Sequence, residues 1–217
     1  MAHLFDSRVD AGRRLARALA AYRGRNALVL AIPRGAVEIG AVIAEELAGE
    51  LDVVLVRKLA SPFSRELAVG AVDESGWTYV ADHAPMMGGT PEHLAHERRA
   101  QLETLARRRA QYTPARMPAD PRGRIAIVVD DGIATGATMM AALHSVRARH
   151  PQRLICAVPV ASRESIEQVG PYADEVVCLQ TPDDFEAVGQ FYRSFPQVDD
   201  DEVVRLLGRK RNQAACA

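Results

Sequence analysis

A three-layer α/β/α fold around a mainly parallel five-stranded sheet is predicted by two observations. The first is a set of short runs that are apolar without alternation: "ALVLAI" from Ala27, "DVVLV" from Asp52, "IAIVV" from Ile125, "LICAVPV" from Leu154 and "EVVCL" from Glu175. Strands covered by helices on both sides read this way, because neither face meets water. The second is the alternation of these runs with helix-like segments, "AVEIGAVIAEEL" after the first, "ATMMAALHSVRAR" after the third and "SRESIEQVG" after the fourth. Strand and helix in turn are the pattern of an open parallel sheet.

Taken in order, the chain opens on "MAHLFDSRVDAGRRLARALAAY", which lacks the uninterrupted apolar core of a signal peptide. Its Leu15 and Leu19 lie one turn apart and predict an amphipathic helix packed on the domain. The segment from Ser61 to Pro121 then breaks the strand-helix rhythm. "AVGAV-DESG-WTYV" reads as a hairpin about a polar turn ending in Gly76, and a loop rich in glycine and methionine follows from His83 to Gly89. Thr90, Pro91 and Glu92 supply an N-cap, a first-turn proline and a first-turn acid, opening a long polar helix toward Tyr112. An insertion of that size between the second and third core strands is more than a connector, and residues 61–121 read either as a decorative excursion or as a lid. "GRKRNQAACA" at the end reads as a frayed tail. One domain over residues 1–217 is expected, because no linker or repeat divides the chain.

Composition narrows the function classes. With 217 residues, 48% hydrophobic and 25% charged residues and a net charge of -1, the chain has the balance of a globular protein. A whole-protein basic field is excluded, so no nucleic-acid partner is expected. Local clusters at Arg107 to Arg109 and Arg209 to Arg211 read as solvated helix faces or tails. Cys156, Cys178 and Cys216 are odd in number and widely spaced, which suggests neither a disulfide framework nor a zinc site and points to a reducing, cytoplasmic setting. No apolar run approaches the roughly 20 residues needed to span a bilayer, so no membrane is expected.

The stretch "IAIVVDDGIATGATMM", Ile125 to Met140, carries the chemistry. Ligands of open α/β sheets sit beyond the carboxyl ends of strands, where helix N-termini offer unpaired N–H groups. Gly132 and Gly136 allow tight backbone geometry, and Thr135 and Thr138 add hydroxyl donors, so the turn Ala134, Thr135, Gly136, Ala137, Thr138 makes a cup for a phosphate. Carboxylates repel phosphate, so Asp130 and Asp131 need another role, that of accepting hydrogen bonds from sugar hydroxyls, directly or through a hydrated magnesium ion. A donor cup beside a diol acceptor pair fits a ribose 5-phosphate. A Walker loop would need Gly-Lys-Ser/Thr, and no lysine is present. A phosphatase with two aspartates one residue apart would need a spacer between Asp130 and Asp131. An Asx turn capping the strand would explain one aspartate but not two with two threonines.

"VVDDGIATGAT" resembles the phosphoribosyl-diphosphate (PRPP) binding signature of type I phosphoribosyltransferases, with Gly132 standing where many members carry an aliphatic residue. The resemblance runs from the N-terminal helix to "FEAVGQFYRSF" and is nearest to the bacterial group described only as predicted phosphoribosyltransferases. It implies that Asp130 and Asp131 hold the ribose hydroxyls and that Ala134 to Thr138 hold the 5-phosphate. PRPP also carries a diphosphate on C1, so a second anion site is expected at another strand end. "AIPRGAVEIG" supplies it: Gly35 permits close backbone approach, Arg34 brings charge, and the helix start brings N–H groups. Pro33, Arg34 and Gly35 match the family's pyrophosphate loop in position and type. Arg57 and Lys58, read as a strand terminus, are candidates to reach diphosphate oxygens. Ser64, Arg65 and Glu66 lie in the segment that resembles the family's flexible loop.

The activity so implied is displacement of pyrophosphate at C1 of PRPP by a nitrogen nucleophile, with a nucleobase as the expected acceptor and magnesium neutralising the diphosphate. Magnesium would be held indirectly, through Asp130, Asp131 and the diphosphate, and a homodimer is expected by the same resemblance. Acceptor specificity would come from a hood over residues 181–207, where Phe185, Phe191, Tyr192 and Phe195 cluster in a chain with 5% aromatics. Phe185 and Tyr192 are the stacking candidates, although packing onto the core is an equal reading of such a cluster. The base itself is left open. A regulator that senses PRPP without transferring it, and a magnesium-dependent sugar-phosphate phosphohydrolase, are the alternatives of different class.

Overall fold

The computed structural model describes residues 3–65, 67–114 and 117–208. Five parallel strands form the central sheet in the order β2-β1-β6-β7-β8: β1 (Leu28–Ala31), β2 (Glu50–Val53), β6 (Ile125–Val129), β7 (Arg153–Val160) and β8 (Glu175–Gln180). Alternate residues of the central strands feed two separate cores. Val29, Ala31, Ile127 and Val129 face the helices α1 (Arg8–Ala18) and α2 (Ala36–Glu46), while Leu28, Leu30, Ala126 and Val128 face α4 (Ala137–Arg147). Burial on both faces is why these runs show no alternation. In α1, Ser7 caps the first turn by accepting from the Asp10 N–H, and Leu15 and Leu19 are fully buried as their spacing predicts.

The second apolar run corrects the sequence reading. Its first half completes β2, but the chain leaves the central sheet at Val54 and Leu55 and re-enters a second, antiparallel sheet as β3 (Val56–Ala60). Both halves are buried, so hydrophobicity does not change at the break and nothing in the run marks it. Arg57 and Lys58 therefore lie inside β3, opposite Val72 and Ala71, and not at the end of a core strand.

That second sheet, β3-β4-β5, contains the expected hairpin, β4 (Ala68–Asp73) and β5 (Thr78–Val80). Asp73 Oδ1 accepts from the N–H groups of Ser75 and Trp77, and Gly76 takes the left-handed backbone (φ +87°) that closes the turn. Trp77 stacks on His144 of α4 at 3.5 Å between ring centroids, seating the hairpin against the central layer. The long helix α3 (Pro91–Tyr112) starts as predicted, with Thr90 Oγ1 accepting from the His93 N–H and Pro91 in the first turn. It buries Leu105 and Tyr112 fully, with Leu94 and Leu102 partly buried against the core, and adds charged anchors. Arg109 binds Glu74 and the Val53 carbonyl and lies 3.8 Å from the fully buried Asp52.

After α5 (Arg163–Val169) and β8, the chain forms a 3-10 turn at Val188–Phe191, a bridge between Tyr192 and Phe5, and the helix α6 (Asp200–Gly208). Among the described residues no helix is long and apolar enough to cross a membrane. Cys156 and Cys178 are free thiols, and the tail with Arg209 to Arg211 and Cys216 lies outside the described residues.

Candidate functional site

The site grows from the carboxyl end of β6. Asp130 turns its Oδ1 back to accept from the Asp131 N–H at 2.8 Å. Asp131 is fixed from two sides: its carbonyl accepts from the Tyr192 hydroxyl at 2.6 Å, and its Oδ2 accepts from Arg8 Nε at 3.0 Å. Burial holds both carboxyls above their ordinary range. The Asp131 charge pushes Asp130 further up, whereas the Arg8 guanidinium draws Asp131 back down. Two half-satisfied acids at one strand end favour a ligand that brings hydroxyl donors or a cation.

One turn further on, the chain makes the cup. Ile133 joins β7 through its N–H to the Val160 carbonyl, and the Ala134 carbonyl is drawn away by the Ser165 hydroxyl at 2.6 Å. Gly136 then enters α4 with left-handed backbone (φ +77°) and no side chain caps the helix. The first-turn N–H groups of an uncapped helix have no intrahelical acceptor, and the first turn carries no acid, which suits an anion. Asp130, Gly132, Ala134, Thr135, Gly136 and Thr138 line a hollow of about 190 Å³, with Val188 of the C-terminal segment as its far wall. Val188 also explains the glycine at 132. A Cβ there would stand 2.6 Å from a Val188 methyl, so the usual aliphatic side chain has no room.

The loop expected to bind the second anion lies directly against the acids. Pro33 and Arg34, joined by a cis peptide, leave β1, and Gly35 begins α2 without a side-chain cap. A Cβ on Gly35 would fall 2.1 Å from Asp131 Oδ2 and 2.9 Å from Arg8 Nε, so only glycine lets the loop lie against the acid pair. Arg34 is exposed above it. The residues 33–35, 130–131 and 134–138 are thus brought into one site.

Other expected residues fall elsewhere. Arg57 donates to Gln101 at 2.9 Å and, with Lys58, Arg65, His93 and Glu97, lines a cleft of about 590 Å³ between the tip of the β3-β4 hairpin and α3. Burial, with the nearby charge of Arg108, lowers the Arg57 pKa, and Arg34 adds a smaller push, which places this cleft within electrostatic reach of the anion loop. Ser64 and Arg65 are exposed at the hairpin tip, and Glu66 lies outside the described residues. Tyr192 is 2% exposed between Phe5 and Phe195, so no ring face is open to an acceptor; its hydroxyl serves Asp131 instead. Phe185 is half-buried against Phe191. The packing alternative for the aromatic cluster is the one this geometry matches.

Arg8, Val188 and Ser165 were not visible as site residues in the sequence. Arg8 is 123 residues from Asp131 and looks like any first-turn arginine. No motif spans such a distance. Among the described residues no group of three or more His, Cys, Asp or Glu is placed to hold a metal ion.

Comparison with known proteins places the chain in one family. Residues 4–195 match the family model described as the phosphoribosyl transferase domain. Two Mycobacterium tuberculosis proteins, from strains CDC 1551 / Oshkosh and ATCC 25618 / H37Rv, each bear the name "Putative phosphoribosyl transferase". Each is 45% identical over 218 residues, covering 98% of this chain and 48% of the relative. The chain spans about half the length of the curated relatives it matches. The crystal structure of TT1426 from Thermus thermophilus is similar with a TM-score of 0.79 and 42% identity, over 94% of this chain and 97% of that one.

Proposed function

Because the chain belongs to the phosphoribosyl transferase domain family, we propose that it transfers the 5-phosphoribosyl group of PRPP to a nitrogen acceptor of the nucleobase class and releases pyrophosphate. The observation that carries this reading is the acid pair set between two uncapped helix N-termini, at Gly35 and at Gly136. A doubly phosphorylated sugar has this layout, an anion at each end and hydroxyls between.

In this reading the cup from Ala134 to Thr138 anchors the 5-phosphate, Asp130 and Asp131 accept from the ribose hydroxyls, and Pro33, Arg34 and Gly35 receive the diphosphate. Anchors at both ends hold C1 in line for attack. The acceptor nitrogen forms its bond to C1 as the bond from C1 to the diphosphate oxygen breaks, and pyrophosphate leaves with the bonding electrons. Arg34 stabilises the charge that gathers on it. Magnesium fits as a companion of the substrate: the site supplies two adjacent carboxylates and, among the described residues, no cluster of three ligands, and Mg²⁺ commonly binds through one or two carboxylates, waters and substrate oxygens. Its contribution would be to neutralise the leaving diphosphate.

The segment 61–121 is assigned as the lid, its exposed tip carrying Ser64 and Arg65, with Arg57 and Lys58 at its root. A lid would exclude water that otherwise hydrolyses PRPP. Residues 181–207 form the hood, with Val188 as the side chain that faces the cup.

Equilibrium binding of magnesium-PRPP, followed by pyrophosphate release with a panel of bases, tests the proposal. Binding with turnover on at least one nitrogen acceptor is expected. Failure to bind PRPP would overturn it, and binding without turnover on any acceptor would favour a PRPP sensor.

A further inference from the structure

Arg8, the first residue of α1, is 5% exposed, and its guanidinium touches several parts of the site at once. Nε donates to Asp131 Oδ2 at 3.0 Å, and Nη1 donates to the Pro196 carbonyl at 2.7 Å. Nη1 also lies 3.7 Å from Glu38 Oε2, in the first turn of α2 beyond the Gly35 loop. The guanidinium carbon stands 3.7 Å from the centroid of the Phe195 ring. Stability alone is a weak reason to bury an arginine, since well-packed apolar residues do as well as a buried ion pair.

The consequence for the acids is specific. Asp130 Oδ1 is taken by the Asp131 N–H, and Asp131 Oδ2 is taken by Arg8. The two carboxyl groups also contact one another side chain to side chain, so Arg8 and the Asp131 N–H fix the orientation of a joined pair. A carboxylate has about four acceptor sites over its two oxygens, so a pair held in this way keeps acceptor capacity for adjacent hydroxyls.

We infer that Arg8 is a positioning residue: by holding Oδ2 of Asp131 it fixes the acid pair in the orientation that receives the two vicinal hydroxyls of a ribose. The same side chain sets the 195–196 segment of the hood against that pair. The inference rests on the reading of the pair as a ribose site and adds to it the residue that orients the pair.

The test compares ribose 5-phosphate with 2-deoxyribose 5-phosphate, which keeps the phosphate anchor and lacks one hydroxyl, by calorimetric titration of wild type, Arg8→Met and Arg8→Lys. Wild type is expected to prefer the ribose form by about tenfold, the effect of one hydrogen bond to an ionised group. Arg8→Met should lose most of that preference while binding the deoxy form as wild type does, and Arg8→Lys should recover part of it. Should Arg8→Met fail to fold, Arg8→Gln, whose amide can still donate to Asp131, carries the same expectation as Arg8→Lys. A folded Arg8→Met that keeps the preference overturns the inference alone, as does a folded Arg8→Gln that loses affinity equally for both sugars, which would mark a merely structural role. A wild type blind to the missing hydroxyl overturns the ribose reading and this inference together.

Discussion

The charges of Asp130 and Asp131 cost the ligand-free protein more than they return, the ion pair with Arg8 offsetting only part of the burial of Asp131. Burial raises both carboxyls, so the folded chain binds protons there more tightly than the unfolded chain. Such groups contribute stability at low pH and lose it as pH rises through the raised folded values. Near pH 7 they therefore cost the ligand-free fold stability. Asp130→Asn is expected to raise the melting temperature of the ligand-free protein by about 2–4 °C per kcal/mol recovered, while magnesium-PRPP affinity falls at least tenfold; thermal scans and titration check the two halves. Binding needs the ionised pair, so affinity in wild type should fall as pH drops through a range above that of an ordinary aspartate, and this acid limb should vanish in the Asp130→Asn, Asp131→Asn double variant. At Gly35 the demand is steric. A Cβ would sit 2.1 Å from Asp131 Oδ2, so Gly35→Ala is expected to leave the fold and displace the carboxylate, lowering PRPP affinity by an order of magnitude or more. Unchanged affinity would show that the loop and the acid pair do not act as one site.

At the scale of elements, the helix α3 adds a polar latch to the thin apolar stripe of Leu94, Leu102, Leu105 and Tyr112. Arg109 joins it to Glu74 of the hairpin turn and to Asp52 and Val53 of β2. Asp52 in turn accepts from the N–H groups of Val53 and Ala119, tying down both ends of the insertion. Removing one partner of a buried charge pair leaves the other uncompensated, typically at about 3–5 kcal/mol. Arg109→Met is therefore expected to destabilise the protein by about 3 kcal/mol and to raise hydrogen exchange along α3 more than in β6; a loss spread evenly over the chain would contradict the latch. The N-cap, first-turn proline and polar turn made this insertion legible in the sequence, because each is a local backbone rule written within a few residues. The split between β2 and β3 was not legible, since Val53, Val54, Leu55 and Val56 are buried alike and the change of sheet leaves no mark on hydrophobicity.

For the whole molecule, the two glycine-bearing loops at 33–35 and 134–138 were legible as strand-to-helix junctions, which the sequence spells in a few residues. What joins them was hidden. Arg8 and Tyr192 reach Asp131 from opposite ends of the chain, and only the closure of the sheet brings α1 and the C-terminal segment to the same strand end. The C-terminal segment shows the same contrast: its aromatic residues stood out by composition, yet Tyr192 and Phe191 are buried and the residue that lines the hollow with Thr135 and Thr138 is Val188. Val188 and Gly132 are complementary in volume, so Gly132→Val is expected to push the hood outward and alter acceptor preference before it weakens PRPP binding, as separate titrations of donor and acceptor would show. The most direct measurement of the central claim is calorimetric titration of the wild-type chain with PRPP in the presence of Mg²⁺, repeated with the Asp130→Asn, Asp131→Asn variant. Saturable one-site binding that the double substitution abolishes in a folded protein is predicted. No binding to wild type, or equal binding to both proteins, would contradict it.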